Sequence, residues 1–185
     1  MLKVAVLVSG GGTNLQALLD NGLVANIACV IASKEGCYAL ERAAKFGIET
    51  AVIAEQGELI TYLEERNIGL IVLAGYLKIL SGEILKKFER RIVNVHPSLI
   101  PSFCGEGMYG MKVHEAALAR GVKLTGATVH YVNEIVDGGE ILAQKAVAIF
   151  EDDTAEILQK RVMEQAEWII LPQVVKELIA NEKMD

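Results

Sequence analysis

Val4-Ala5-Val6-Leu7-Val8 runs without a polar break into Ser9-Gly10-Gly11-Gly12-Thr13-Asn14. No other junction in the chain restricts the fold so much. An unbroken apolar run is what a parallel strand buried on both faces requires. Leu15, Ala17, Leu18 and Leu19 then take up helical spacing. Strand, glycine turn and helix make the first unit of a wound sheet. The alternation continues with a strand at Ile27–Ala32 and a helix at Cys37–Phe46 closed by Gly47. A short strand at Glu49–Ile53 and an amphipathic helix at Glu58–Arg66 follow. The apolar Leu70–Ala74 reads as a central strand, and Ser81 can cap a helix over Gly82–Phe88. Later segments read as a helix at Val113–Arg120 and strands at Leu124–Val132 and Ile141–Ile149. Asp153 or Thr154 should cap a long C-terminal helix that Pro172 kinks or breaks. The prediction is an α/β fold: an open, mostly parallel, twisted sheet with helices on both faces. There is no repeat and no linker-like shift in composition, so one domain over 1–185 is expected.

The glycine turn offers a backbone that a ligand can approach closely, and the helix start offers unpaired N–H groups to an anion. A phosphate suits both; the plainer alternative is a tight turn capped by Thr13 or Asn14. The turn lacks the Gly-Lys-Ser/Thr ending of a P-loop. Leu15 stands where a dinucleotide fingerprint needs its third glycine, and the second strand ends in Ser33-Lys34 without a ribose-binding acid. ATP and NAD are therefore disfavoured, and a phosphomonoester is preferred.

The chemistry gathers at Ile92-Val93-Asn94-Val95-His96-Pro97. Pro97 ends this strand, and its period of two places Asn94 and His96 on one face. Asn is depleted in strands, so Asn94 in a strand interior asks for a reason. An amide donor beside a titratable ring, at the carboxyl end of a strand, suits a developing oxyanion. A loop from Pro97 to Met111, rich in Gly and Pro, reads as a lid or binding loop. Asp137 precedes Gly138 and Gly139; this is turn chemistry, or a carboxylate aimed at a histidine by a tight bend. Leu77, Ile79 and Leu80 follow the central strand, where a flat aromatic ligand could be gripped. His114 reads as structural. His96, His114 and His130 share no i,i+4 spacing, so no metal site is expected.

A formal net charge of −6 without a basic run argues against a nucleic-acid surface. The apolar start is too short for a membrane span and lacks a signal cleavage site. Cys29, Cys37 and Cys104 are odd in number and form no Cys-x-x-Cys pair, which fits a reducing cytoplasm.

Four motifs now stand in order: Ser-Gly-Gly-Gly-Thr-Asn at 9–14, Leu-Ala-Gly-Tyr-Leu-Lys-Ile-Leu-Ser at 73–81, Asn-Val-His-Pro-Ser-Leu-Ile-Pro at 94–101 and Val-Asp-Gly-Gly at 136–139. Together they resemble the phosphoribosylglycinamide formyltransferases of purine biosynthesis, which use 10-formyltetrahydrofolate. The resemblance covers nearly the whole chain. It implies a catalytic trio of Asn94, His96 and Asp137. It implies a ribonucleotide site at Gly11, Gly12, Thr13 and Asn14, with Glu167 near the ribonucleotide and Glu164 one helical turn before it. It implies a folate site at Leu77, Lys78, Ile79 and Leu80, with Asn94 and with Asn133, Glu134, Val136 and Asp137 of the 133–137 turn. Residues 1–90 would then form the phosphate-binding half and 91–185 the catalytic and folate-binding half. The co-substrate would be 10-formyltetrahydrofolate, with no tightly bound cofactor and no metal. The partners would be small molecules, with neither nucleic acid nor membrane, acting on a monomer or homodimer.

The sequence departs from relatives at Lys78, where many carry Arg, and in the long 102–112 loop with its Cys-Gly-Glu-Gly-Met-Tyr-Gly run. A folate-contacting Arg of some relatives has no counterpart before Leu63. Methionyl-tRNA formyltransferase and formyltetrahydrofolate deformylase are the nearest rivals, and each usually carries an additional domain that this chain has no room for. A nucleotide-sensing module on the same sheet is the non-enzyme rival, but it would have no need of Asn94, His96 and Asp137 together.

Overall fold

The computed structural model describes residues 2–181. Seven strands form one sheet: β1 (Val4–Val8), β2 (Ile27–Ala32), β3 (Glu49–Val52), β4 (Leu70–Leu73), β5 (Ile92–His96), β6 (Leu124–Tyr131) and β7 (Ile141–Ala148). Their spatial order is β3-β2-β1-β4-β5-β6-β7. The pairs from β3 to β5 are parallel, whereas β5–β6 and β6–β7 are antiparallel. The expected open, mostly parallel sheet is observed. All of β1 and β4 is buried, as their apolar runs require.

Helices cover both faces. α1 (Thr13–Asp20), α2 (Tyr38–Lys45), α5 (Met111–Arg120), α6 (Ala155–Val162) and α7 (Trp168–Asn181) contribute Leu15, Leu18, Ala39, Ala117, Leu158 and Leu171 to a core against Val4, Val6, Val93 and Val95. α3 (Gln56–Glu65) and α4 (Glu83–Lys87) pack Leu59, Leu63 and Ile84 against Ala5, Leu7, Ile71 and Ile92 on the other face. The order of crossovers reverses between β1 and β4, which opens a crevice beyond their carboxyl ends.

Two local expectations are corrected. Ser81 does not cap α4: Gly82 holds the cap position without a side-chain bond, at φ 61°. Both backbone groups of Ser81 are instead taken by Gln56, whose Nε2 donates to the Ser81 carbonyl at 2.7 Å and whose Oε1 accepts from its N–H at 3.2 Å. Pro172 does not end the C-terminal helix; it lies inside α7. A π-helical turn, Met163–Glu167, precedes α7 immediately. Thr154 is the cap of α6, accepting from the Ile157 N–H at 3.3 Å, while Asp153 pairs with Arg161.

Candidate active site

The glycine turn is held from behind by α2. The Ala39 N–H donates to the Gly10 carbonyl at 3.1 Å, and Arg42 Nε donates to the Gly11 carbonyl at 2.8 Å. Gly12 occupies the left-handed region at φ 72° and is itself the N-cap of α1; neither Thr13 nor Asn14 caps the helix. Asn14 turns inward, and its Nδ2 donates to Glu167 Oε2 at 2.8 Å. The π turn delivers Glu167 to this point and Met163 beside Thr13.

A cleft of about 670 Å³ lies beyond the carboxyl ends of β4 and β5. Its wall contains Asn14, Leu77, Lys78, Ile79, Leu80, Asn94, His96, Asn133, Glu134, Val136, Asp137 and Glu167. Gly11, Gly12, Thr13 and Glu164 are outside that wall; the three turn residues adjoin it through Asn14, and Glu164 pairs with Lys160 at 3.9 Å. Lys78 donates from Nζ to the Ala54 carbonyl at 2.8 Å, anchoring its segment on the loop after β3. The Leu77 N–H donates to Ser9 Oγ at 3.0 Å, which ties the segment after β4 to the start of the glycine turn.

Four polar side chains meet at the cleft floor. Asn94 and His96 share a face of β5, as its period of two demands. Asp137 reaches them from its turn at φ 54°, with Oδ2 3.5 Å from His96 Nδ1 and Oδ1 3.6 Å from His130 Nε2. The 97–110 loop closes over this group. Its Phe103 carbonyl accepts from His96 Nε2 at 2.8 Å, and its Gly105 N–H donates to Asp137 Oδ2 at 2.9 Å. Because a carbonyl only accepts, His96 Nε2 carries a proton and Nδ1 is the nitrogen left for the cleft.

Burial alone would raise the Asp137 pKa, but the His130 and His96 rings and the Gly105 N–H outweigh it and hold the carboxyl below its ordinary range. Asp137 is therefore a carboxylate throughout the neutral range. His114, assigned to structure by its place in a helix, lies in the cleft wall and is 1% exposed. Burial, with the His96 ring adding to it, pushes its pKa down to about 4, so it stays neutral at pH 7. His130 reads in the sequence as a strand residue without metal-ligand spacing. No local signal could place either ring here, because tertiary packing brings both in.

Glu167 is 6% exposed, and burial raises its pKa despite the opposing Asn14 N–H. A carboxyl raised in the folded state is no burden below its ordinary pKa of 4.5, and it lowers stability as pH rises through the folded value. Glu167→Gln keeps an acceptor for Asn14 and removes the charge. The variant is expected to match the parent at pH 4 and to exceed it by about 1–3 kcal/mol at pH 7, measured by urea unfolding at both pH values. An equal difference at the two pH values would show that Glu167 ionises without cost.

The formyl transferase family pattern matches residues 2–175. The chain is 41% identical over 189 residues to the phosphoribosylglycinamide formyltransferase of Haemophilus influenzae, covering 95% of this chain and 86% of that protein. It is 38% identical over 177 residues to the chloroplastic phosphoribosylglycinamide formyltransferase of Arabidopsis thaliana, covering 88% of this chain. The chain spans 61% of that plant protein's length. The crystal structure of phosphoribosylglycinamide formyltransferase from Anaplasma phagocytophilum superposes with a TM-score of 0.89 at 37% identity, covering 98% of this chain and 88% of that one. A sheet with its switch point at this cleft, a polar group at the end of β5 and these likenesses agree: the chain belongs to the formyl transferase family, on its phosphoribosylglycinamide formyltransferase branch.

Proposed function

We propose that this chain transfers the formyl group of 10-formyltetrahydrofolate to the amine of 5'-phosphoribosylglycinamide. The products are formylglycinamide ribonucleotide and tetrahydrofolate, in purine biosynthesis. The observation that carries the reading is the meeting of Asn94, His96 and Asp137 at one end of the cleft. The amine nitrogen attacks the formyl carbon, a C–N bond forms, and the carbonyl π pair moves onto oxygen. The resulting oxyanion is met by an Asn94 N–H and by protonated His96 Nδ1; each such donor is worth roughly 3 kcal/mol in a water-poor site. The surplus proton of the new C–N centre passes to the folate nitrogen, directly or through one water. The old C–N bond then breaks, and the tetrahedral carbon returns to a carbonyl. A carboxylate held below its ordinary range is a poor resting place for a proton. Asp137 therefore stays an anion beside His96 while the proton moves on.

The substrates fit from two sides. The free N–H groups at the start of α1 suit the ribonucleotide phosphate. Asn14 Oδ1 is buried with no hydrogen-bond partner among the described residues, and it suits a sugar hydroxyl or an amide donor. Leu77 and Ile79, 61% and 68% exposed, face the cleft together with Ile135 and Val136. Apolar side chains left open around one cleft suit the flat ring of a folate. The co-substrate is released after each turnover, so no tightly held cofactor is needed.

Incubation with both substrates is expected to give formylglycinamide ribonucleotide and tetrahydrofolate in equal amounts, followed by mass spectrometry. Formate released from 10-formyltetrahydrofolate at the same rate without the amine would make the chain a deformylase. Binding of the nucleotide with no turnover would make it a sensor.

A further inference from the structure

His130 is a buried titratable side chain to which the proposed reaction gives no task. Its position follows from strand register: in the antiparallel β5–β6 pair, His130 is the direct partner of Asn94. Side chains of such pairs stand on one face within reach of each other. His130 Nδ1 lies 2.8 Å from the Tyr131 carbonyl, which can only accept, so this nitrogen carries the proton. In the neutral ring Nε2 then keeps a lone pair. That lone pair lies 3.3 Å from Asn94 Nδ2 and 3.6 Å from Asp137 Oδ1. Of the two contacts only the one to the Asn94 amide lies within hydrogen-bond distance. The Asn94 contact is the hydrogen bond of the two.

A primary amide can rotate end for end, because its oxygen and nitrogen have nearly the same shape. On the floor of this cleft the two orientations are opposite in use. With Nδ2 toward the reacting atoms, Asn94 donates to an oxyanion; with Oδ1 there, it repels one. A lone pair at His130 Nε2 favours the first orientation and opposes the second. We infer that His130 is a positioning residue, holding the Asn94 amide with one N–H on its own ring and the other free for the formyl oxygen. The inference rests on the proposed formyl transfer for the purpose of that second N–H, while the first bond exists without substrate.

Three variants and one spectrum test it. His130→Phe fills the space without an acceptor and is expected to lower kcat about tenfold or more, with both KM values within about twofold of wild type. His130→Gln restores an acceptor oxygen and is expected to recover most of that loss. In an Asn94→Ala background, His130→Phe should cost less than about twofold, because there is no amide left to orient. The same loss in both backgrounds, or equal losses in the Phe and Gln variants, would overturn the inference. The ¹⁵N spectrum of the substrate-free protein decides the bond independently of activity and of whether the Phe variant folds. Wild type should show His130 protonated at Nδ1 alone and one Asn94 amide proton protected from exchange. A ring protonated at both nitrogens, or an unprotected Asn94 amide, rejects the positioning role even in an active enzyme. The expected spectrum in a protein without turnover upholds the positioning role and rejects formyl transfer instead.

Discussion

His96→Ala and Asp137→Asn are each expected to lower kcat by about 10²–10³-fold, and the double variant should be little worse than either single one. In the proposed transfer the two side chains work as one unit. His96 Nδ1 faces the cleft 3.5 Å from Asp137 Oδ2, and the carboxylate is held below its ordinary pKa range by both neighbouring rings and a backbone N–H. On the proposed mechanism, removing the ring removes a donor to the oxyanion. Removing the charge leaves the ring without the anion beside it. Asn is the proper replacement at position 137 because the backbone there has φ 54°, which Asn adopts more readily than other non-glycine residues. Its amide oxygen can keep the Gly105 N–H, so the loop over the site should stay in place. Steady-state kinetics with melting curves check this. Thermal midpoints within a few degrees of the parent with kcat collapsed is the expected outcome. A kcat near the parent's in either variant would remove that residue from the mechanism, and fully multiplicative losses would mean that the two act separately.

The glycine turn should divide into two kinds of glycine. A Cβ on Gly11 would meet no atom within 4 Å, and Gly11 is exposed. Gly11→Ala should therefore fold as the parent does and raise the ribonucleotide KM by at least about tenfold, because the added methyl keeps the phosphate from the backbone N–H groups. The folate KM should stay within about twofold. Gly12 is different. Its φ is 72°, and a Cβ there would lie 2.6 Å from Ala39 Cβ and 2.8 Å from Ala39 Cα of α2. Gly12→Val combines a left-handed β-branched residue with this overlap and should cost stability by about 3 kcal/mol or more. Urea unfolding reads the second effect, and initial rates at varied ribonucleotide read the first. If Gly11→Ala raises both KM values equally, the turn does not hold the phosphate. If Gly12→Val melts with the parent, α2 does not set the identity of that glycine.

The turn also shows how far local reasoning carries. The sequence marks residues 9–14 as a turn between a buried strand and a helix, and that is their place. Close approach of a ligand, or a tight turn, gives a reason for glycine at any of the three positions, yet at Gly12 the packing of α2 is by itself a sufficient cause. Ser81 has the chemistry of a helix cap but is drawn away by Gln56, from another element. Pro172 has the chemistry of a helix breaker, yet α7 runs on through it, with a π turn immediately upstream.

What the sequence determined by itself was whatever depends on neighbours along the chain. Apolar runs without a polar break marked β1 and β4 as buried strands, and the order of strands and helices pointed to a wound sheet. The two-residue period of β5 placed Asn94 and His96 on one face before any partner strand was known. What only the tertiary structure decided depends on contacts between distant segments. The antiparallel register of β5 and β6 sets His130 opposite Asn94, thirty-six positions away in the chain. The packing of α5 puts His114 into the cleft wall, and the fold of the 97–110 loop brings the Phe103 carbonyl to His96 and the Gly105 N–H to Asp137. Periodicity tells which face a side chain takes. It carries no information about register, and register decides which polar groups share a site.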